Sequence, residues 1–169
     1  MQPDTIRGFD AAFTYRDDPM TLSATDIVEI HQLMALYGHA ADNPNEDLFP
    51  QVFTDDAVWE ASGEPAQTAP SKCVGLQAIR DLFALGVPPH SPSHHTTNVY
   101  VQQQKNGEVI VRSKWIAHPE KAKGPWMGDY RDIVVRTPAG WRIQHRLVTF
   151  RYSGASRSSS VAGDSSACG

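Results

Sequence analysis

The sequence predicts one α+β domain, with helices mostly first and an antiparallel meander after them. Three observations carry this. Apolar residues recur at helical spacing in the first half, as in Ile27, Ile30, Met34, Tyr37 and Ala41. The second half alternates at period two, the mark of half-buried strands. Tight-turn signals, Asn106-Gly107 and Thr137-Pro-Ala-Gly140, separate those alternating runs. At 169 residues the chain holds one real core and is too short for two ordinary domains.

Residues 1–22 show no clean period and read as an N-terminal extension, with a turn at Tyr15–Pro19. A helix then starts near Ser23 or Thr25, either of which can cap it. Asp26 and Glu29 suit the positive end of its dipole. Asp42-Asn43-Pro44 stops it. Glu46 to Phe53 reads as a short helix interrupted or kinked by Pro50, and Asp55 to Glu60 as a turn into a first strand. Ala61 to Ser71, rich in small residues and Pro, reads as a loop. A third helix spans Gly75 to Leu85, and the prolines before His94 end it. Strand-like runs follow over His95–Gln103, Glu108–Ala117, Met127–Arg136 and Trp141–Tyr152. Residues 153–169 are mostly Ser, Gly and Ala, a tail unable to bury enough apolar surface to order itself.

Composition narrows the function. Hydrophobic residues make up 40% and charged ones 20%, as in ordinary globular proteins. A net charge of -4 with scattered Lys and Arg argues against nucleic acid as a partner. No run of about 18 apolar residues exists, so no membrane span is expected. Met1–Arg7 lacks the basic start and apolar run of a secretory signal. Cys73 and Cys168 read as free thiols in a reducing compartment, which points to the cytoplasm. His90, His94 and His95 lie close in sequence, but Pro92 intervenes and no Cys or acidic ligand joins them, so no metal site is expected. A Gly-rich phosphate loop and a Gly-x-Ser-x-Gly elbow are missing as well. Chemistry without a cofactor is what remains.

The series "FTDDAVWE", a "G-x-x-A-I" helix, "HHTTNV" and "GDYRD…RTPAGWRI" follows a helix carrying Tyr37 and Asp42. In that order, over residues 23–152, it resembles the SnoaL-like branch of the nuclear transport factor 2-like superfamily. The resemblance implies a cone-shaped α+β barrel, its curved antiparallel sheet wrapped by three helices around an apolar pocket. The superfamily includes scytalone dehydratase, bile acid 7α-dehydratase, isomerases, cyclases and dioxygenase small subunits, so the fold alone does not decide function.

The candidate site follows from residue chemistry and that resemblance together. Asp42 near a helix C-terminus faces the negative end of the dipole, which predicts a raised pKa. Dehydratases of the family place an aspartate at the matching position. His94 and His95 should point to opposite faces of a strand. The family pattern, a histidine three residues before an asparagine, selects His95 as general base, with Asp42 orienting it. Tyr37, five residues before Asp42, lies on the apolar stripe and matches a tyrosine of the bile acid enzyme. His118, Tyr130, Asn98 and Trp59 are candidate substrate contacts; Tyr130 stands where scytalone dehydratase has an asparagine.

The expected function is a cofactor-independent dehydratase or isomerase for a small apolar ring compound bearing a carbonyl. His95 would abstract a proton beside the carbonyl, Asp42 would hold the imidazole, and Tyr37 would hydrogen-bond the leaving hydroxyl or the enolate. Two alternatives stay open. One has Asp42 itself as the acid or base; the other has the domain as a ligand-binding or assembly module like a dioxygenase small subunit. By analogy with the superfamily, a homodimer is expected.

Overall fold

The computed structural model of the chain describes residues 21–43, 47–63, 71–84, 93–118 and 124–152. Nearly all of the expected extension, the Tyr15–Pro19 turn, most of the small-residue loop, His90, the prolines before His94, Cys168 and the tail 153–169 lie outside the described residues.

Among the described residues the elements run α1 (Ala24–Asp42), α2 (Phe49–Val52), β1 (Phe53–Ser62), β2 (Lys72–Val74), α3 (Leu76–Ala84), β3 (His95–Gln103), β4 (Val109–Ala117), β5 (Trp126–Thr137) and β6 (Gly140–Tyr152). The strands form one sheet in the order β2-β1-β6-β5-β4-β3. It is antiparallel except for the β1–β6 pair, which is parallel. This is the α+β architecture expected, a curved open sheet with helices on its inner face.

α1 starts where its cap chemistry dictates. The Ser23 hydroxyl accepts from the Asp26 backbone N–H at 3.1 Å, and the Asp26 carboxylate accepts from the Ser23 N–H at 2.8 Å, a reciprocal capping box. Asp26 also accepts from Trp141 Nε1 at 3.1 Å, which ties the helix start to β6. Ile30, Leu33, Met34, Tyr37 and Ala40 form the buried stripe of α1. Asn43 ends the helix: its backbone N–H donates to the His39 carbonyl at 2.9 Å, and its side-chain amide donates to the same oxygen.

Two elements differ from expectation. The second helix is a single turn, and Pro50 lies inside that first turn, where its missing N–H costs nothing, instead of kinking a longer helix. Just past the expected small-residue loop, Lys72–Val74 form β2, an unexpected short edge strand that pairs Val74 with Val58 and Cys73 with Trp59, while Ala61 and Ser62 at the start of that loop extend β1. Three residues carry no periodicity to read.

The inner face of the sheet faces α1, α2 and α3, and its residues follow from register. Trp59 of β1 lies beside Arg146 of β6, which lies opposite Asp132 of β5 and, beyond it, Val111 of β4. The next row holds Ala61, Val148, Tyr130 and Ser113. A third holds Phe150, Gly128, Trp115 and Thr96.

Candidate active site

The C-terminus of α1 meets the approach to β3 through one carboxylate. Asp42 Oδ1 lies 2.6 Å from His94 Nδ1. Asp42 Oδ2 accepts from the backbone N–H groups of Ser93 and His94, both at 2.9 Å. Ser93 stands at φ +77°, a left-handed conformation that non-glycine residues seldom adopt. It turns both N–H groups toward the same oxygen. Gly38 makes the approach possible, because a Cβ there would stand 2.9 Å from the His94 carbonyl oxygen.

These donors decide the charge state of Asp42. Burial pushes its pKa up, but hydrogen bonds from the His94 ring and from the His94 and Ser93 backbone outweigh burial, and the pKa is lowered. The raised value expected from the helix dipole is therefore overturned: three donors point at the carboxylate. The contact to an acceptor-only carboxylate holds the His94 ring by its Nδ1 side and leaves Nε2 free of it, the orientation that a base needs.

The histidine beside Asp42 is His94, not His95. His95 is exposed and sits in the β3–β4 ladder opposite Ile116. The cause is a β-bulge. The ladder runs Thr97 with Lys114 and then Tyr100 with Arg112, so β3 carries one extra residue. Val99 and Val101 pack on the core. Strict alternation counted back from them would turn Thr97 and His95 inward; the bulge turns Thr96 and His94 inward instead.

Tyr37 lies next to this pair, 2% exposed, with its ring 6.4 Å from the His94 ring and 5.5 Å from that of Tyr130. Phe53 and Phe83 meet other edges of it, at 6.0 and 6.3 Å. Tyr130 stacks on Trp115 at 5.7 Å. Its phenol is pushed well above its ordinary pKa, first by burial and then by the neighbouring Tyr37, so it stays protonated.

Behind the tyrosines lies an ion pair that sequence reasoning missed. Arg146 and Asp132 are both fully buried. Arg146 Nε and Nη2 donate to the two Asp132 carboxylate oxygens, each at 2.7 Å, in a bidentate fork. The guanidinium also lies over the Tyr37 and Tyr130 rings. Burial works against the charge of Arg146, but the neighbouring Asp132 outweighs it and raises the pKa, so the guanidinium stays protonated. The sequence signal was weak because β6 also carries a bulge. Val134 pairs with Ile143 and Ile133 with His145, which leaves Gln144 extra. Alternation from Trp141 and Ile143 points to His145 as the inward residue, whereas the bulge turns Arg146 in.

The other expected contacts divide. Trp59 is buried on the inner face and meets Phe83 edge-on at 6.2 Å. Asn98 is exposed and at φ +52°; it is the bulge residue of β3, a position asparagine tolerates well. His118 is exposed just beyond β4. Cys73 is a buried thiol whose pKa burial raises. Among the described residues no group of three His, Cys, Asp or Glu is placed to hold a metal ion. No helix among them is long and apolar enough to cross a membrane.

Comparison with known proteins agrees with this architecture. The anthranilate 1,2-dioxygenase small subunit of Burkholderia cepacia is 26% identical over 138 residues, covering 72% of this chain and 84% of that one. The crystal structure of a candidate aromatic ring hydroxylase from Novosphingobium aromaticivorans superposes with TM-score 0.62 at 26% identity, over 78% of this chain and 93% of that one. A candidate scytalone dehydratase from the same organism shares the fold, with TM-score 0.59 at 21% identity over 76% and 85% of the two chains. The SnoaL-like domain family model matches residues 23–147, from the cap of α1 into β6, and the chain belongs to that family.

Proposed function

We propose that the chain is a cofactor-independent lyase or isomerase acting on a small, mostly apolar ring compound that bears a carbonyl. The observation that supports this best is the 2.6 Å contact of His94 Nδ1 with Asp42, beside the buried phenol of Tyr37. His94 Nε2 removes the proton from the carbon next to the carbonyl. Asp42 holds the imidazole and stabilises the cation it becomes. Tyr37 donates a hydrogen bond to the forming enolate or the departing hydroxyl. In a dehydration the hydroxyl leaves with a proton as water, and the C–H bonding pair becomes the new double bond. In an isomerisation the same proton returns to another carbon. The version in which Asp42 acts as the base has less support, because its oxygens already receive three donors.

The test is turnover of a panel of β-hydroxy ketones and β,γ-unsaturated ketones on fused rings, followed by the absorbance of the conjugated enone. Wild type should convert at least one, while His94→Ala and Asp42→Asn should not. Conversion that survives both changes would refute the mechanism. A second reading, a non-catalytic assembly or ligand-binding module, draws support from the likeness to the dioxygenase small subunit. Under that reading the purified chain converts nothing on the panel. A homodimer is part of the proposal, and sedimentation equilibrium checks it.

A further inference from the structure

Five buried polar atoms on the inner face of the sheet have no hydrogen-bond partner among the described residues: Trp59 Nε1, Thr96 Oγ1, Ser113 Oγ, Trp115 Nε1 and Arg146 Nη1. Native proteins rarely leave such groups unpaired, because an unmade buried hydrogen bond is expensive. Three of the five can only donate, and the two hydroxyls can donate as readily as accept. The surface as a whole therefore calls for acceptors.

Register sorts these atoms into two groups. Trp59 lies beside Arg146 across the β1–β6 pair. Trp115 lies opposite Thr96 across β3–β4, and Ser113 is two residues back along the same face of β4. Tyr130 joins the groups: it stacks on Trp115 and lies under the Arg146 guanidinium, 4.2 Å from its ring centre. Gly128 leaves no room for a side chain, since a Cβ there would meet the Thr149 carbonyl oxygen first and then Trp115 Nε1 at 2.8 Å. His94 precedes Thr96 by two residues on the same side of the strand, which sets the second group beside the proposed base.

Charge narrows the ligand further. Arg146 is the cation among these atoms, and both oxygens of Asp132 already hold it; Arg136, farther along the face, pairs with Asp26. Asp42 adds a carboxylate with a lowered pKa. A ligand carboxylate would enter with no free counter-charge, at a large desolvation cost.

We propose that this face binds an uncharged ring compound with two hydrogen-bond acceptors, one received by Trp115 with Thr96 and Ser113, the other by Trp59 with Arg146. The inference rests on the reading of the His94–Asp42 face as a ligand site, and it names what that ligand carries. A diketone or keto-ether on a flat ring scaffold fits, whereas a hydrocarbon or an aromatic acid does not.

The experiment titrates 15N-labelled protein with 2,6-diacetylnaphthalene, 2,6-diethylnaphthalene and naphthalene-2,6-dicarboxylate, reading the indole N–H resonances and the His94 ring. Trp141, already bonded to Asp26, serves as the internal control. The diketone should bind about tenfold or more tightly than the diethyl compound, as two modest hydrogen bonds predict. It should also move the Trp59 and Trp115 indole signals downfield. Trp115→Phe should cut that advantage to about threefold, one bond's worth. Equal binding of diketone and hydrocarbon, with the His94 ring perturbed and both indoles unmoved, overturns the inference and leaves the ligand-site reading standing. Preferred binding of the dicarboxylate overturns the charge argument and the inference with it. No binding by any probe overturns both readings.

Discussion

The Arg146 guanidinium carbon lies 3.7 Å from the centre of the Tyr37 ring, so a buried cation backs the phenol that borders the His94–Asp42 pair. Three layers follow from front to back: the histidine and its carboxylate, the two tyrosines, and the Arg146–Asp132 fork. The last layer sets the position of the middle one, because the guanidinium plane touches both rings. Stability and chemistry therefore share residues, and variants must be read for both.

Breaking the buried fork should be costly. Arg146→Ala leaves Asp132 without its partner in the core, a loss of about 3–5 kcal/mol. The double change Arg146→Met with Asp132→Leu should recover most of it, since apolar replacements of similar size avoid both desolvation costs. Urea unfolding followed by circular dichroism measures each. A single-variant loss under about 1 kcal/mol would mean that water reaches the pair.

The two neighbouring histidines should behave very differently. His94→Ala should lower turnover of an identified substrate by about 10²–10⁴-fold, the usual contribution of a positioned base. His95→Ala, at an exposed position facing away, should leave it within about twofold. Steady-state kinetics on both variants decides between them, and the reverse order would restore His95 to the site.

Acid should weaken the Asp42 clamp in a defined direction. The folded pKa of Asp42 lies below its ordinary value of 3.8, so its hydrogen bonds stabilise the fold fully above that value. The contribution shrinks as pH falls below the ordinary value and is gone below the lowered folded one. Asp42→Asn should therefore be less stable than wild type at pH 6, with the gap closing in acid. Denaturant midpoints across that range test it, and a gap that widens in acid would contradict the sign.

Gly38 should resist even alanine. In an open helix position the change gains up to about 1 kcal/mol in helix propensity. Here the new Cβ would press on the His94 carbonyl oxygen, a backbone atom that moves only if the Ser93–His94 turn moves. Overpacking of this kind costs about 1–3 kcal/mol. Gly38→Ala should thus lower Tm and reduce turnover together; a higher Tm would show the turn to be compliant.

Asn98 separates a backbone role from a binding role. Asn98→Gly should hold or raise Tm, and Asn98→Val should cost about 1–2 kcal/mol, because φ +52° suits glycine and penalises a branched side chain. Ligand affinity should follow stability and not the lost amide. Weaker binding in a fully folded Asn98→Gly would return Asn98 to the list of contacts.

The elements that were legible in the sequence are those with a long period or a cap. α1 announced itself through Ser23, the stripe from Ile30 to Tyr37, and Asn43. The meander showed in alternation and in Asn106-Gly107. Two inward-facing residues, His94 and Arg146, escape a reading by alternation for one physical reason. A bulge shifts parity by one residue and leaves no trace in a pattern counted at period two. At Asn98 it turns His94 inward, where the family pattern had selected His95, and at Gln144 it turns Arg146 inward. The lowered pKa of Asp42 was illegible for another reason: two of its three donors are backbone N–H groups, which every residue but proline possesses.

The parallel pairing of β1 with β6 has a consequence for how the molecule is made. β6 is a central strand of the sheet, yet it is the last strand in the described chain. During synthesis β1 emerges long before its partner, and until β6 arrives its main neighbours are the short β2 and α3. Arg146, which holds Asp132 and both tyrosines, arrives with that same strand. The hairpins of the second half are local and can form early, but the joining of the two halves is a late, long-range event. A chain cut before Gly140 would possess the histidine, the aspartate and the tyrosines, and would lack the strand that brings the two halves of the sheet together.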